Sequence, residues 1–338
     1  MQEPSDLAIR TTVHNPSTKA IMNGRAMYAF LANKTAYDLW FGNHAIQRTE
    51  TPEAESCSHE FKLATAANRD LPWSDLEELG ISRDSKHPIH VAVPETKRLA
   101  SSKTVCAHLR GRKFNGGFVH ITGRVYAECP IPALLSQIHG EAGNALYDLN
   151  RAVARYQIVD GHIIEAPPLA HPDSLAIALE ALPRTRGVGI AKAVLPYVTP
   201  NGAFPMECLV SAMLSAPERL GGEGLPLPVL NAPVTVHKDG HRSTRYADVY
   251  WPSARVALEY DSTEFHNGKD KLGHDAARRV ELENAGIRAI SLTNHQLKDM
   301  GLFNELVVLL RTMLGVQSRP PTARMDERKQ HFREVLLK

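Results

Sequence analysis

Long apolar runs are missing from this chain. No stretch approaches the roughly 18 apolar residues that a membrane-spanning helix needs, so the sequence predicts no spanning segment and no membrane partner. The first ten residues carry Glu3 and Asp6 and lack an apolar core, which argues against a secretory signal and makes a cytoplasmic location the expectation. Paired cysteines are missing too. Cys57, Cys106, Cys129 and Cys208 form no CxxC and have no matched histidine pair nearby, a spacing that argues against a zinc site or a disulfide framework and predicts reduced thiols. Internal repeats are absent. So is a strong charge of either sign: the net charge is +2, so any nucleic-acid partner must be met by a local basic surface.

What is present describes an ordinary globular chain. Hydrophobic residues make up 43% and charged residues 22%, enough to bury a core without wholesale disorder. At 338 residues the chain suits two domains with some additional segment.

Residues 1–70 are the least legible part. Met22 to Phe41 is rich enough in apolar and aromatic residues for one or two helices, and Gln47 to Ser58 reads as a polar loop. Ser74 ahead of Glu77 and Glu78 predicts a short capped helix ending near Gly80, and HPIHVAV predicts a strand beginning after Pro88. A basic stretch, Arg110, Arg112 and Lys113, precedes Gly116-Gly117. Without interleaved aromatics for base stacking, it reads as a solvated edge before it reads as a nucleic-acid contact. Phe118 to Thr122 and Arg124 to Ala127, broken at Gly123, are two tightly joined strands. From Pro130 to Tyr197 the apolar spacing predicts helices throughout. Thr199-Pro200-Asn201-Gly202 is a breaker cluster that places a boundary, and the charged tail from 316 to 338 reads as a solvated extension or weakly docked helix.

After the boundary the element order is readable. Pro205 to Leu214 is a helix with proline in its first turn and Glu207 beside it. Val234 to His237 and Arg242 to Tyr250 flank Asp239-Gly240, a strong hairpin signal, and Asp248 falls late in the second strand. Trp251-Pro252-Ser253 turns the chain into Arg255 to Asp261, where alternation puts Glu259 and Asp261 on one face. A helix over 274–285 ending at Gly286, a strand over 287–292 and a helix containing Gln296 follow. The order is helix, hairpin, strand, helix, strand, helix, which a crossover connection would fold into an α/β sandwich.

Asp248 and Glu259 can converge across adjacent strands, with Glu207 arriving from the helix. Carboxylates gathered in this way require a cation or a shared proton. An oxygen-only set suits Mg²⁺ or Mn²⁺, with Asp248, Glu259 and Asp261 as metal ligands, and such an ion supports phosphodiester hydrolysis.

The stretch from Arg245 to Leu297 resembles the DUF559 family, a Vsr-like branch of the PD-(D/E)XK nuclease superfamily. The resemblance rests on Asp248, Trp251-Pro252, Glu259-Tyr260-Asp261, His266, the helix with Asp275 and Arg278, and the strand before Gln296. It covers about a hundred residues, including Met206-Glu207. It implies a restriction-endonuclease-like mixed sheet flanked by helices, with Glu207, Asp248 and His266 around the metal, and together with Glu259 and Asp261 these are the expected catalytic residues. His266 would assist proton transfer, while Arg278 and Gln296 would support the site. Arg278 would do so by touching phosphate; otherwise it pairs with Glu281 or Glu283 along its own helix. The sequence departs from the family pattern at the motif lysine, which is Asp261 here, and at the following glycine, which is Ser262. Lys269 or Lys271 is the substitute cation nearest in sequence.

HPIHVAVPETKR and FVHITGRVYAECPIPALLSQI resemble, more weakly, AbiEi-type antitoxins, implying an N-terminal α+β domain that binds a partner. The expected layout is therefore a partly helical segment at 1–70, an antitoxin-like region at 71–200, a nuclease domain at 203–315 and a charged tail at 316–338. The expected activity is a metal-dependent endonuclease on DNA in a defence or toxin–antitoxin setting. The alternative is an inactive nuclease fold that binds DNA or protein.

Overall fold

The computed structural model describes residues 27–42, 46–99, 101–111, 117–138, 140–160, 162–181, 187–238, 241–261, 278–317 and 322–337. The chain is mixed α/β and divides into two compact units. One comprises residues 1–139 and 156–189, the other 140–155 and 190–338. No helix among the described residues is long and apolar enough to cross a membrane.

The first unit is built on a five-stranded sheet. Its strands are β1 (Ala29–Leu31), β2 (Ile89–Val93), β3 (Val105–Leu109), β4 (Phe118–Thr122) and β5 (Val125–Glu128), in the order β3-β2-β1-β5-β4. β1 runs parallel to β5 and antiparallel to β2, and β2 runs parallel to β3. β1 replaces part of the helix expected over 22–41, since Ala29-Phe30-Leu31 is fully buried in the middle of the sheet. Helix α1 (Asn33–Phe41) follows it, and the short helices α2 (Ser58–Phe61) and α3 (Trp73–Glu77) complete the early part of the unit. Phe30 is the centre of an aromatic cluster, with its ring 4.7 Å from Tyr126 and 4.9 Å from both Phe61 and Phe118. Such offset and edge contacts add about 1 kcal/mol each to the area they bury.

The expected basic surface is partly internal. Arg110 donates from Nε to Oε1 of the fully buried Glu128 at 2.5 Å, and its other nitrogen reaches Asn33. Glu128 also accepts from the Asn33 N–H at 2.9 Å, so the start of α1 is fixed by a buried carboxylate. Arg112 and Lys113 lie outside the described residues.

The region from 130 to 197 is not helical throughout. Helices α4 (Pro130–Gln137) and α5 (Ala142–Ala152) are followed by a hairpin of β6 (Tyr156–Val159) and β7 (His162–Glu165), then by α6 (Pro172–Ala181) and α7 (Val188–Val194). Asp160, which precedes Gly161 in the sequence, takes a left-handed φ of 49° at the end of β6, and turn chemistry outweighs the apolar spacing around it.

In the second unit, α5 lies beside helix α8 (Pro205–Ser215). Asn150, fully buried, donates to the Cys208 carbonyl at 3.2 Å and accepts from the Thr199 N–H at 2.7 Å. A four-stranded sheet follows, made of β8 (Val229–Lys238), β9 (His241–Trp251), β10 (Val256–Asp261) and β11 (Arg288–Thr293), in the order β11-β10-β9-β8. β8, β9 and β10 are successively antiparallel, and β11 returns parallel to β10, as the element order predicts. The Asp239-Gly240 turn lies outside the described residues. Helix α9, described over 278–284, contributes Leu282 to a cluster with Val234, Val236, Ala247, Ala257, Ile287 and Ala289.

Helices α10 (Asn294–Lys298), α11 (Met300–Leu314) and α12 (Ala323–Leu336) close the unit. The charged tail is therefore a docked helix and not a solvated extension. Phe332 and Leu336 are buried, and the Arg333 guanidinium lies 4.4 Å from the Phe303 ring centre.

Trp251 is the largest fully buried side chain, 2% exposed, and its Nε1 donates to the Pro226 carbonyl at 2.7 Å. Trp251→Ala is expected to destabilise this unit by about 3–5 kcal/mol, and Trp251→Phe by about 1–3 kcal/mol through the orphaned carbonyl. Urea denaturation followed by circular dichroism measures both, and a Trp251→Phe variant as stable as the parent would rule out a role for the indole hydrogen bond.

Candidate functional site

Three of the acidic residues expected at the site occupy α8, β9 and β10. Glu207 is the third residue of α8, which begins at Pro205 after Phe204 in extended conformation. Its carboxylate bends back over the helix start, where Oε2 accepts from the Ala203 N–H at 2.7 Å. The side chain is buried, and burial pushes its carboxyl up to about 8; the charges of Asp248 and Glu259 act in the same direction, while the Ala203 hydrogen bond opposes them.

Asp248 and Glu259 meet across the β9–β10 junction. The ladder pairs Val256 with Trp251, Ala257 with Tyr250 and Leu258 with Val249, and in that register the next facing pair is Glu259 and Asp248. There the side chains take over from the ladder. The Tyr260 N–H donates to Asp248 Oδ2 at 2.9 Å, and the Asp248 N–H approaches Glu259 Oε1 at 3.4 Å. Burial raises the Asp248 carboxyl above its ordinary range, against the Tyr260 hydrogen bond and the neighbouring Arg278.

Among the described residues, Arg278 is the cation that pairs with both carboxylates. Its guanidinium lies 2.5 Å from Glu259 Oε2 and 3.3 Å from Asp248 Oδ1, and it donates to the Tyr246 carbonyl at 2.5 Å. This replaces both roles expected of it along the helix: Glu281 is held by Arg245 at 2.6 Å, and Glu283 by Arg279 at 3.6 Å. A guanidinium suits the position because its donors are fixed in a fork that can serve two carboxylates and a carbonyl at once.

Of the other expected residues, Asp261 and Gln296 are described. Asp261 ends β10, paired in register with Thr293 on β11. Gln296 is the third residue of α10, where its side chain accepts from the Thr293 N–H at 3.0 Å while Thr293 Oγ1 accepts from the Gln296 N–H at 3.2 Å. This reciprocal capping box gives Gln296 a local structural role. His266, Lys269, Lys271 and Asp275 lie outside the described residues.

The donor set formed by Asp248, Glu259 and Glu207 has the hard oxygen chemistry that Mg²⁺ or Mn²⁺ requires. Among the described residues, however, no three of the acidic side chains bring ligand oxygens within 4.8 Å of one another. The group that meets this distance is His90, Cys106 and His108, half-buried in the first unit. Reading the cysteines by spacing along the chain missed it. The available signal was Cys-Ala-His at alternate positions of a strand, with His90 in the other strand.

No family's sequence profile matches this chain, and no solved structure matches it. It is similar to two proteins of Mycobacterium tuberculosis, Uncharacterized protein MT2308 of strain CDC 1551 / Oshkosh and Uncharacterized protein Rv2248 of strain ATCC 25618 / H37Rv. Each is 32% identical over 101 residues, a stretch covering 30% of this chain and 34% of the relative. The chain thus spans about a third of the length of the curated relatives it matches.

The raised Glu207 carboxyl has a consequence for stability. A carboxyl whose value is higher in the folded than in the unfolded chain holds more protons when folded. Its contribution is complete below the unfolded value of 4.5 and is lost as pH rises toward about 8. Glu207→Gln, neutral at every pH, is expected to lack this fall and to gain on the parent protein by up to a few kcal/mol, on the order of the linkage energy, between about pH 5 and about pH 8. Urea denaturation at the two pH values tests this. An identical pH dependence in the two proteins would refute the burial argument.

Proposed function

We propose that the second unit is a nuclease core of the PD-(D/E)XK type that hydrolyses phosphodiester bonds in DNA. The observation that carries this reading is the convergence of Asp248 and Glu259 at facing positions of adjacent strands, close enough to share Arg278. The raised carboxyl of buried Glu207 supports it, as does the succession of α8, the β8–β9 hairpin, β10, α9 and a parallel β11.

In this reading Asp248 and Glu259 hold a divalent cation, Mg²⁺ or Mn²⁺. Such an ion, when bound, polarises the phosphate and lowers the pKa of an attacking water. Glu207 keeps a proton at neutral pH and can pass it to a developing oxyanion. Arg278, already beside Asp248 and Glu259, would pair with a phosphate oxygen in the charge-assisted manner that suits guanidinium. It thereby takes the electrostatic task that the motif lysine performs in the family pattern, a task that Asp261 cannot perform.

A second reading has its own support. Arg278 already pairs with both Asp248 and Glu259, so the two carboxylates are held together without a metal and the fold can serve as a binding platform for DNA or for a protein partner. The two readings separate experimentally. The nuclease reading expects purified protein to cleave plasmid, linear, nicked or mismatched DNA with Mg²⁺ or Mn²⁺, to stop with EDTA, and to lose at least about a hundredfold in rate in Asp248→Ala. Salt-dependent DNA binding without cleavage, undiminished in Asp248→Ala, is the outcome of the platform reading and would sink the first.

A further inference from the structure

We propose that His90, Cys106 and His108 form a binding site for a single borderline transition-metal ion, Zn²⁺ in the first instance, with a non-protein fourth ligand. This site lies in the first unit and is independent of the acidic site on β9 and β10.

The backbone dictates the grouping. β2 and β3 are parallel, and their register sets His90 opposite Cys106 and Ala92 opposite His108. Since side chains alternate, Cys106 and His108 emerge on the same face of β3, and His90 emerges beside them from β2. The three carry ligand atoms all within 4.8 Å of one another. The imidazoles are stacked at 14° with centroids 5.0 Å apart, and His90 Nδ1 lies 2.8 Å from His108 Nε2. Two ligand nitrogens on a tetrahedral zinc stand about 3.3 Å apart, and a nitrogen and a sulfur about 3.6 Å, given the usual bond lengths. To hold one ion the two histidine nitrogens must part by about 0.5 Å and the imidazoles must turn so that both lone pairs meet the metal and not each other, which needs no change of register.

The three side chains are half-buried. Lys34 and Asp38 on α1, which face His90, form an ion pair with each other. Arg110 is engaged with Glu128 and Asn33. The nitrogen and sulfur donors select a zinc-like ion against Mg²⁺ or Ca²⁺. Because the three ligands join the edge strand β3 to β2, a bound ion would clamp that edge.

The full chain, stripped by chelator and dialysed, is to be titrated with Co²⁺ and then with Zn²⁺. The expected result is one equivalent of Co²⁺ with the visible absorption of a four-coordinate site and a near-ultraviolet thiolate charge-transfer band, both erased by Zn²⁺ and untouched by excess Mg²⁺. Cys106→Ser should abolish the thiolate band. His108→Gln should weaken binding by more than the roughly 10- to 100-fold that losing an outer-shell partner costs. Asp248→Ala should leave the spectrum unchanged, which separates this site from the acidic one. A wild-type protein with no thiolate band, or a band that survives Cys106→Ser, overturns the proposal. Should the variants fail to fold, alkylation of Cys106 in the wild-type protein decides: Zn²⁺ must slow it, and equal rates with and without the ion refute the site.

Discussion

The second unit depends on how two carboxylates facing each other across adjacent strands are kept from repelling. Asp248 and Glu259 occupy positions that the β9–β10 register brings opposite one another, where like charges destabilise a sheet. The fold answers by ending the ladder there and making the side chains part of the backbone bonding: Asp248 takes the Tyr260 N–H. It then supplies one guanidinium for both. That guanidinium comes from α9, which Arg245 holding Glu281 and the packing of Leu282 also keep in place. After α9 the chain returns as β11, parallel to β10. Glu207 lies near the same charges and stays protonated over most of the neutral range.

Elsewhere the same problem of buried acid is solved by pairing. Glu128 in the first unit is matched by Arg110, and Glu223 in the second by Lys329 at 2.6 Å, with Arg311 donating to its carbonyl at 2.5 Å. Arg311 sits on α11 and Lys329 on α12, so one acidic segment ties both terminal helices. Removing a single partner from such a set leaves an uncompensated charge and costs about 3–5 kcal/mol, whereas the intact pair adds little net stability over apolar packing. These pairs therefore act mainly to specify which arrangement forms.

Much of the second unit could be read from its residues because the signals are local. Pro205 in a first turn, alternation over Arg242 to Tyr250 and Gly286 after a helix each act within a few residues, and the observed elements follow them closely. The convergence of Asp248 and Glu259 was legible because antiparallel neighbours joined by a short turn have nearly forced register. What could not be read was non-local or overridden. Arg278 was legible as a residue supporting the site, but not its pairing with Glu259 and Asp248, which lie 19 and 30 positions away in sequence. The His90, Cys106 and His108 group needs a parallel pairing that no spacing reveals. β1 is only three residues long, and its burial comes wholly from its neighbours. The terminal helix has a polar composition, and Phe332, Arg333 and Leu336 dock it through contacts far away in the chain.

The division of the chain into units carries a consequence for how it assembles. Residues 140–155 belong with the second unit, yet they are made before residues 156–189, which belong with the first. During synthesis α5 therefore emerges well ahead of α8, the helix whose Cys208 carbonyl its Asn150 binds, with a hairpin and two helices translated between them. Asn150, Leu146 and Leu149, all fully buried in the finished fold, must wait in an incomplete environment until α8 appears. The second unit is thus not a segment that can be cut from the chain at the Thr199-Pro200-Asn201-Gly202 breaker. A fragment beginning there would leave α8 without the helix that supplies its polar anchor. The two units are interleaved in sequence, so neither is a continuous segment of the chain.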